Sequence, residues 1–295
     1  MSLQARINES KVTGVLDVSN MGLTSLPELP ESLTMLECNR NKLKTLPALP
    51  KTLTKLGCSD NQLTSLPELP ASLTTLYCFR NTLASLPTLP NSLTLLHCYK
   101  NPLTSLPKLP HSLTHLLCFE NNLSSLPILP HSLTQLWCDE NKLTSLPDLP
   151  ELLLQLSCFD NQLTSLPDIP KSILYIDCSK NKLSSLPNLP TSLTRLYYEH
   201  NPFNAQFKIL IYSGSNDIQH VVHNVRAYYV IQNVKRMKHQ ARNTIALQQT
   251  FERKCIVHED ICSRIGSYIS GKEGTVTMQI AALKSTIGNE SRLPL

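Results

Sequence analysis

Apolar residues return along most of the chain with a period of twenty. From about residue 21 to 201 the unit x-S-L-T-x-L-x-C-x-x-N-x-L-T-S-L-P-x-L-P runs through nine copies with no insertion or deletion. Counting from the Leu of S-L-T, apolar side chains hold the first, fourth and sixth places and Asn the ninth, as in Leu73, Leu76, Cys78 and Asn81. Alternation at the fourth to sixth places predicts one short strand per turn, with the residues between facing outward. The Asn column, from Asn41 in steps of twenty to Asn201, is placed to bond backbone groups of neighbouring turns at the bend after each strand. The Leu-Pro-x-Leu-Pro stretch is too short for an α-helix. Proline fixes φ and removes a donor, so this wall is expected to be extended or polyproline-like, with Leu46, Leu49 and their repeats pointing inward.

Together these positions make the leucine-rich pattern L-x-x-L-x-L-x-x-N-x-L, with Cys in place of the third Leu. The fold expected is α/β: a leucine-rich-repeat solenoid with short parallel strands and an extended convex side, followed by a small all-α domain. Three regions follow: residues 1–20 as an N-terminal cap and degenerate first repeat, 21–202 as the solenoid, and 203–295 as a helical C-terminal domain. Ten strands, counting a poor copy around Leu16 and Val18, would give a sheet about 45 Å long. No turn can bury its leucines alone, so the ends need covering. Met21 stands where the first Asn would, and Tyr198 takes the ninth place of the cysteine column, where it is expected to close the core.

Composition then acquires addresses. Eighteen of the 21 prolines and eight of the 10 cysteines fall in the repeat columns. Cysteines twenty residues apart lie in a row and cannot converge on one metal ion, and stacked neighbours have poor torsional geometry for disulfides, so a buried ladder of free thiols in a reducing compartment is expected. No metal site and no cofactor are anticipated. No apolar run is long enough to span a membrane, and the opening around Met1, Ser2 and Leu3 lacks the apolar core of a cleavable signal peptide. The net charge of +5 is uneven. Residues 201–295 hold 12 Lys/Arg against 6 Asp/Glu, whereas residues 1–200 hold 15 against 16.

Function is expected at the outward places of the concave side, the third, fifth, seventh and eighth, because the rest of the repeat scarcely varies. Tyr77, Phe79, His97, Tyr99, Phe119, Trp137 and Phe159 occupy five consecutive turns there and predict a contiguous aromatic patch, with Leu117 among them. Exposed aromatic clusters mark interaction surfaces, and Trp and Tyr dominate binding energy. At the eighth place, Arg80 and Lys100 precede Glu120, Glu140 and Asp160. A protein partner is therefore expected to offer a hydrophobic anchor, with acidic groups toward the N-terminal half and basic groups toward the other. No small-molecule substrate is implied.

The L-P-x-L-P-x-S-L unit resembles the twenty-residue repeats of Gram-negative effectors of the YopM and IpaH/SspH types, and its cysteine-bearing form is similar to leucine-rich effectors of Legionella. The resemblance covers residues 12–201. It implies a protein delivered by a dedicated secretion system into the cytosol of a host cell, where the repeats recognise a host protein. The IpaH/SspH types also carry a ubiquitin-ligase domain with a Cys-x-Asp nucleophile. Here neither Cys255, Ile256, Val257 nor Cys262, Ser263, Arg264 matches, so that activity is not implied and the chain is expected to be no enzyme.

The tail changes character after Pro202. Ile218, Val221, Val222, Val225, Tyr228, Tyr229 and Ile231 recur at helical spacing behind Asn216 and Asp217, and a second run passes through Ile245, Leu247 and Phe251. Lys235, Arg236, Lys238 and Arg242 form its densest basic cluster, a candidate for nucleic acid or an acidic membrane. Cys255, His258 and Cys262 have the spacing of one helix face, which leaves a cysteine-dependent enzyme as one alternative function. Residues 256–269 resemble the opening of F-box-like segments, which would make the protein an adaptor for a Skp-type ubiquitin-ligase component; the usual Pro is replaced by Val257 or His258.

Overall fold

The computed structural model describes residues 2–204, 221–225 and Arg236. It is a leucine-rich-repeat solenoid. One helix, α1 (Leu3–Thr13), precedes ten three-residue strands: β1 (Val15–Asp17), β2 (Met35–Glu37), β3 (Lys55–Gly57), β4 (Thr75–Tyr77), β5 (Leu95–His97), β6 (His115–Leu117), β7 (Gln135–Trp137), β8 (Gln155–Ser157), β9 (Tyr175–Asp177) and β10 (Arg195–Tyr197). They form one parallel sheet in sequence order. Register advances by one repeat per strand, so Leu36, Leu56 and Leu76 lie side by side.

Each turn repeats the same backbone solution. Asn101 donates from Nδ2 to the carbonyls of Cys78 and Cys98, both at 3.1 Å, while its Oδ1 accepts from the N–H of Leu83 at 3.1 Å. One side chain thus satisfies groups on two adjacent turns, and the column repeats this from Asn41 to Asn201. A second ladder runs along the flank, where Ser92 Oγ donates to the carbonyls of Ala71 and Leu73 at 2.7 and 2.6 Å. A third is made by Thr74, Thr94 and Thr114, each bonding the carbonyl of its counterpart one turn back. Buried polar groups must be paired, and identical turns pair them identically.

The eighth place adopts a left-handed backbone in every turn, with φ between 49° and 58° from Asn20 to His200. Most residues there are charged and none is Gly. The cost of about 1 kcal/mol per residue is offset by a main-chain bond to the next turn, as from Arg80 N to Tyr99 O at 3.0 Å. This accounts for a regular solenoid built with so few glycines.

The core is a stack of leucines and thiols. Leu73, Leu76, Cys78 and Leu83 are all fully buried, as are their counterparts through the middle turns. All eight repeat cysteines are free and buried. Burial pushes their thiols up, to about 12 at Cys38 and Cys98, so they stay protonated. On the convex wall Leu66, Leu69, Leu86 and Leu89 turn inward and are at most 8% exposed, whereas Leu46 and Leu49 nearer the N-terminus are only half-buried and Ile128 between two prolines points outward.

The two ends differ from the middle. At the N-terminus the degenerate copy contains a true helix, started by Ser2, whose Oγ accepts from Ala5 N, and stopped by Gly14 at φ 69°. Ile7 and Ser10 of α1 are buried, and Arg6 donates to the Asp17 carbonyl at 2.6 Å. In place of the missing Asn, Met21 offers its N–H to Asn41 Oδ1 at 3.0 Å. At the other end Tyr198 does not fill the cysteine column as a buried plug. It is half-buried and meets the ring of Phe203 at 6.1 Å, and Phe203 is the buried member of the pair. The chain divides into two compact units, Met1–Val225 and Arg226–Leu295. In the first, residues 221–225 are helical and bury Val221, Val222 and Val225.

Candidate functional site

The concave face is the outward side of the ten-stranded sheet. Phe79, Tyr99 and Phe119 hold the same seventh place in three successive turns, so the strand spacing becomes a ring spacing. Phe79 and Tyr99 stack at 4.4 Å with planes 7° apart, and Tyr99 and Phe119 stack at 4.1 Å and 11°. At the fifth place Tyr77 meets His97 edge-on at 5.0 Å, and His97 lies 6.4 Å from Tyr99. Trp137 extends the network, tilted 51° from Phe119 at 6.4 Å. Six of the predicted residues therefore form one connected ring network over β4 to β7. All are half-buried; their neighbours cover part of each ring. The Trp137 indole Nε1–H is enclosed and has no hydrogen-bond partner among the described residues. Leu117 is buried at 9% exposure, flooring the patch.

Burial, with the charge of His115 adding to it, pulls His97 down to about 4, so the centre of the patch is uncharged at neutral pH. Burial likewise raises Tyr99, opposed by Arg80.

Phe159 stands apart from this network. Asp139 occupies the seventh place between Phe119 and Phe159 and breaks the stack. Its Oδ1 accepts from Ser157 Oγ and, at 2.9 Å, from Phe159 N. The Phe159 ring carries Lys180 Nζ at 4.7 Å instead.

The eighth-place charges are largely spent on one another. Arg80 pairs with Asp60 at 3.5 Å, Lys100 with Glu120 at 3.0 Å and Lys180 with Asp160 at 3.8 Å. The polarity seen along this column is therefore divided into local pairs, leaving Arg40 and Glu140 with no ion pair among the described residues. The first turns are also satisfied internally: Glu37 bonds Lys55 at 2.8 Å and Asn39 at 2.7 Å. Its carboxylate lies where a Cβ at Gly57 would be, 2.0 Å from Oε2.

A second cluster went unnoticed as a site in the sequence. Asp139, Ser157, Tyr175, Asp177 and Ser179 adjoin the C-terminal side of the aromatic network. Asp177 Oδ1 accepts from Ser179 N at 3.1 Å and Ser179 Oγ at 2.5 Å. Burial lifts the Asp139 carboxyl to about 6, its hydrogen bonds opposing and the charge of Asp177 adding to the rise. The signal was the single acidic residue interrupting an aromatic column.

Solved structures share this architecture. YopM from Yersinia pestis, a leucine-rich effector protein, is 31% identical with a TM-score of 0.50; the match covers 68% of this chain and 81% of that one. The chain belongs to the bacterial leucine-rich-repeat effectors. YopM from Yersinia enterocolitica is 29% identical with a TM-score of 0.48, over 69% of this effector and 64% of that chain, so this effector spans less than two thirds of its length. The leucine-rich-repeat domain of a Shigella effector is 27% identical with a TM-score of 0.48, over 73% and 84%. No family model matches the chain, and no curated protein does.

The remaining sequence candidates fall in the tail of the effector. Arg236 is helical and exposed. Lys235, Lys238, Arg242, the trio Cys255, His258 and Cys262, and the segment 256–269 lie outside the described residues. No helix among the described residues is long and apolar enough to cross a membrane.

Proposed function

We propose that this effector is delivered into a host cell and acts there by occupying a host protein with its concave aromatic face. The mechanism is binding, without a chemical step. The observation that carries the reading is the ring network over β4 to β7, in which Tyr77, Phe79, His97, Tyr99, Phe119 and Trp137 meet ring to ring on the outward side of the sheet. A surface serving only stability would repeat like the Asn and Cys columns. Stacked rings are already ordered before a partner arrives, which lowers the entropic cost of association. The eight repeat thiols support binding over catalysis, since burial holds them protonated and away from substrate.

The test is capture from host-cell lysate by the full chain and by Tyr99→Ala/Phe119→Ala/Trp137→Ala. Loss of the captured protein with an unchanged circular dichroism spectrum is the expected result. Equal capture by both proteins refutes the assignment.

A further inference from the structure

This inference rests on the reading that the concave face is the binding face, and concerns the chemistry of its occupant. On that face and its rim, Glu37, Asp60, Glu120 and Asp160 each have a lysine or arginine within ion-pair distance. Among the described residues Asp17 at one end, Glu140 and Glu199 on the rim, and Asp139 and Asp177 beside Trp137 have none. Asp139 and Asp177 each commit only Oδ1, to Ser157 and Phe159 N in one case and to Ser179 in the other, and neither Oδ2 carries a hydrogen bond among the described residues. The two carboxylates are close enough for Asp177 to raise Asp139, and both raise Tyr175, whose main perturbation is burial. The C-terminal half of the face thus holds unneutralised negative charge beside Trp137.

The stacked rings offer little to a cation. In the Phe79, Tyr99, Phe119 stack the faces cover one another, which leaves ring edges, the positive part of the quadrupole, toward the open side. Lys55 already lies 5.6 Å over Tyr77, and Lys180 lies 4.7 Å over Phe159. The stack therefore favours apolar and aromatic side chains, and a positive group gains only by moving on to the carboxylates.

We infer that the concave face seats an extended protein segment with an apolar anchor on Phe79, Tyr99, Phe119 and Trp137 and an arginine or lysine held by Asp139 and Asp177. Trp137 on β7 and Asp177 on β9 are two strands apart, about 10 Å, which an extended segment crosses in about three residues. The cation accordingly follows the anchor two or three residues along. It replaces the missing counter-charge and engages the oxygens that nothing else uses.

The experiment is fluorescence anisotropy with the full chain and three labelled peptides, each with a tryptophan followed two residues later by arginine, neutral citrulline or glutamate. The arginine peptide should bind at least about tenfold more tightly than the citrulline peptide, with glutamate weakest. Asp139→Asn/Asp177→Asn should abolish that preference without weakening the citrulline peptide. Asn can still accept through Oδ1, as Asn39 does from Ser59 N at 2.8 Å, so the fold is kept. Tyr99→Ala/Phe119→Ala/Trp137→Ala should lose all three peptides. Equal binding of arginine and citrulline peptides, a preference that survives the double Asn variant, or no binding by any peptide overturns the inference. If the first two peptides bind alike and both are lost in the aromatic variant, the binding face stands and only its cationic subsite fails. Undiminished binding to the aromatic variant overturns the binding face itself.

Discussion

The interior of the solenoid and its concave face are made by the same turns yet obey opposite rules. Inside, Asn41 to Asn201 and Cys38 to Cys178 repeat one solution, because each carbonyl of one turn must find the same donor on the next. Outside, the fifth place alone reads Glu37, Gly57, Tyr77, His97, Leu117, Trp137, Ser157, Asp177 and Tyr197. Uniformity in one region and variety in the other separate what holds the molecule together from what it presents to a partner.

The largest effect that could break this separation is at a ladder asparagine. Asn101→Ala leaves the Leu83 N–H without its acceptor and takes one of two donors from each carbonyl of Cys78 and Cys98, which keep Asn81 and Asn121, so a loss of about 3 kcal/mol is expected from urea unfolding. A loss under about 1 kcal/mol would show that the column does not carry the stacking. Next in size, Cys98→Ser buries a hydroxyl in a slot that held a thiol and should cost about 2 kcal/mol, against about 1 kcal/mol for Cys98→Ala. The folded solenoid should also leave Cys98 unreactive toward a thiol reagent at neutral pH, since burial pushes it to about 12.

The smallest effects sharpen the comparison within the concave face, through two groups with opposite signs. Asp139 is raised to about 6, so the folded state binds more protons than the unfolded one between about pH 4 and 6, and this group favours folding as pH falls. His97 is lowered to about 4, so between about pH 6.5 and 4 the unfolded state binds more protons and this group disfavours folding as pH falls. Asp139→Asn should therefore stabilise by on the order of 1 to 2 kcal/mol at pH 7 and by almost nothing below pH 4. His97→Asn should reduce the acid-side loss and leave the dependence due to Asp139. A gain from Asp139→Asn that persists undiminished at pH 3.5 would mean that the carboxylate is not held in its buried state.

The comparison also explains what could be seen in advance. The solenoid, its strand positions, the buried thiols and the inward leucines were legible because a period repeated nine times averages away the ambiguity of any one turn. Helix α1 was not. Its single turn of apolar anchoring, Ile7, is no periodic signal, and only Ser2 and Gly14 mark its ends. Which of the aromatic residues touch was not legible. Phe159 is severed from the network by the hydrogen bonds of Asp139, and the eighth-place charges turn toward one another across the turns.

By itself, the sequence determined the backbone of the repeats. A twenty-residue unit with Asn at the bend and Pro on the wall admits one stacking, and repetition multiplies every local preference into a global one. Tertiary structure alone decided the character of the concave face. There the outcome depends on which side chains from different turns come within a few ångströms. Three rings brought into stacking contact make a preordered anchor, and two carboxylates without a counter-charge make a place for a cation. Neither property belongs to any single turn, because each arises only from side chains that stacking brings together.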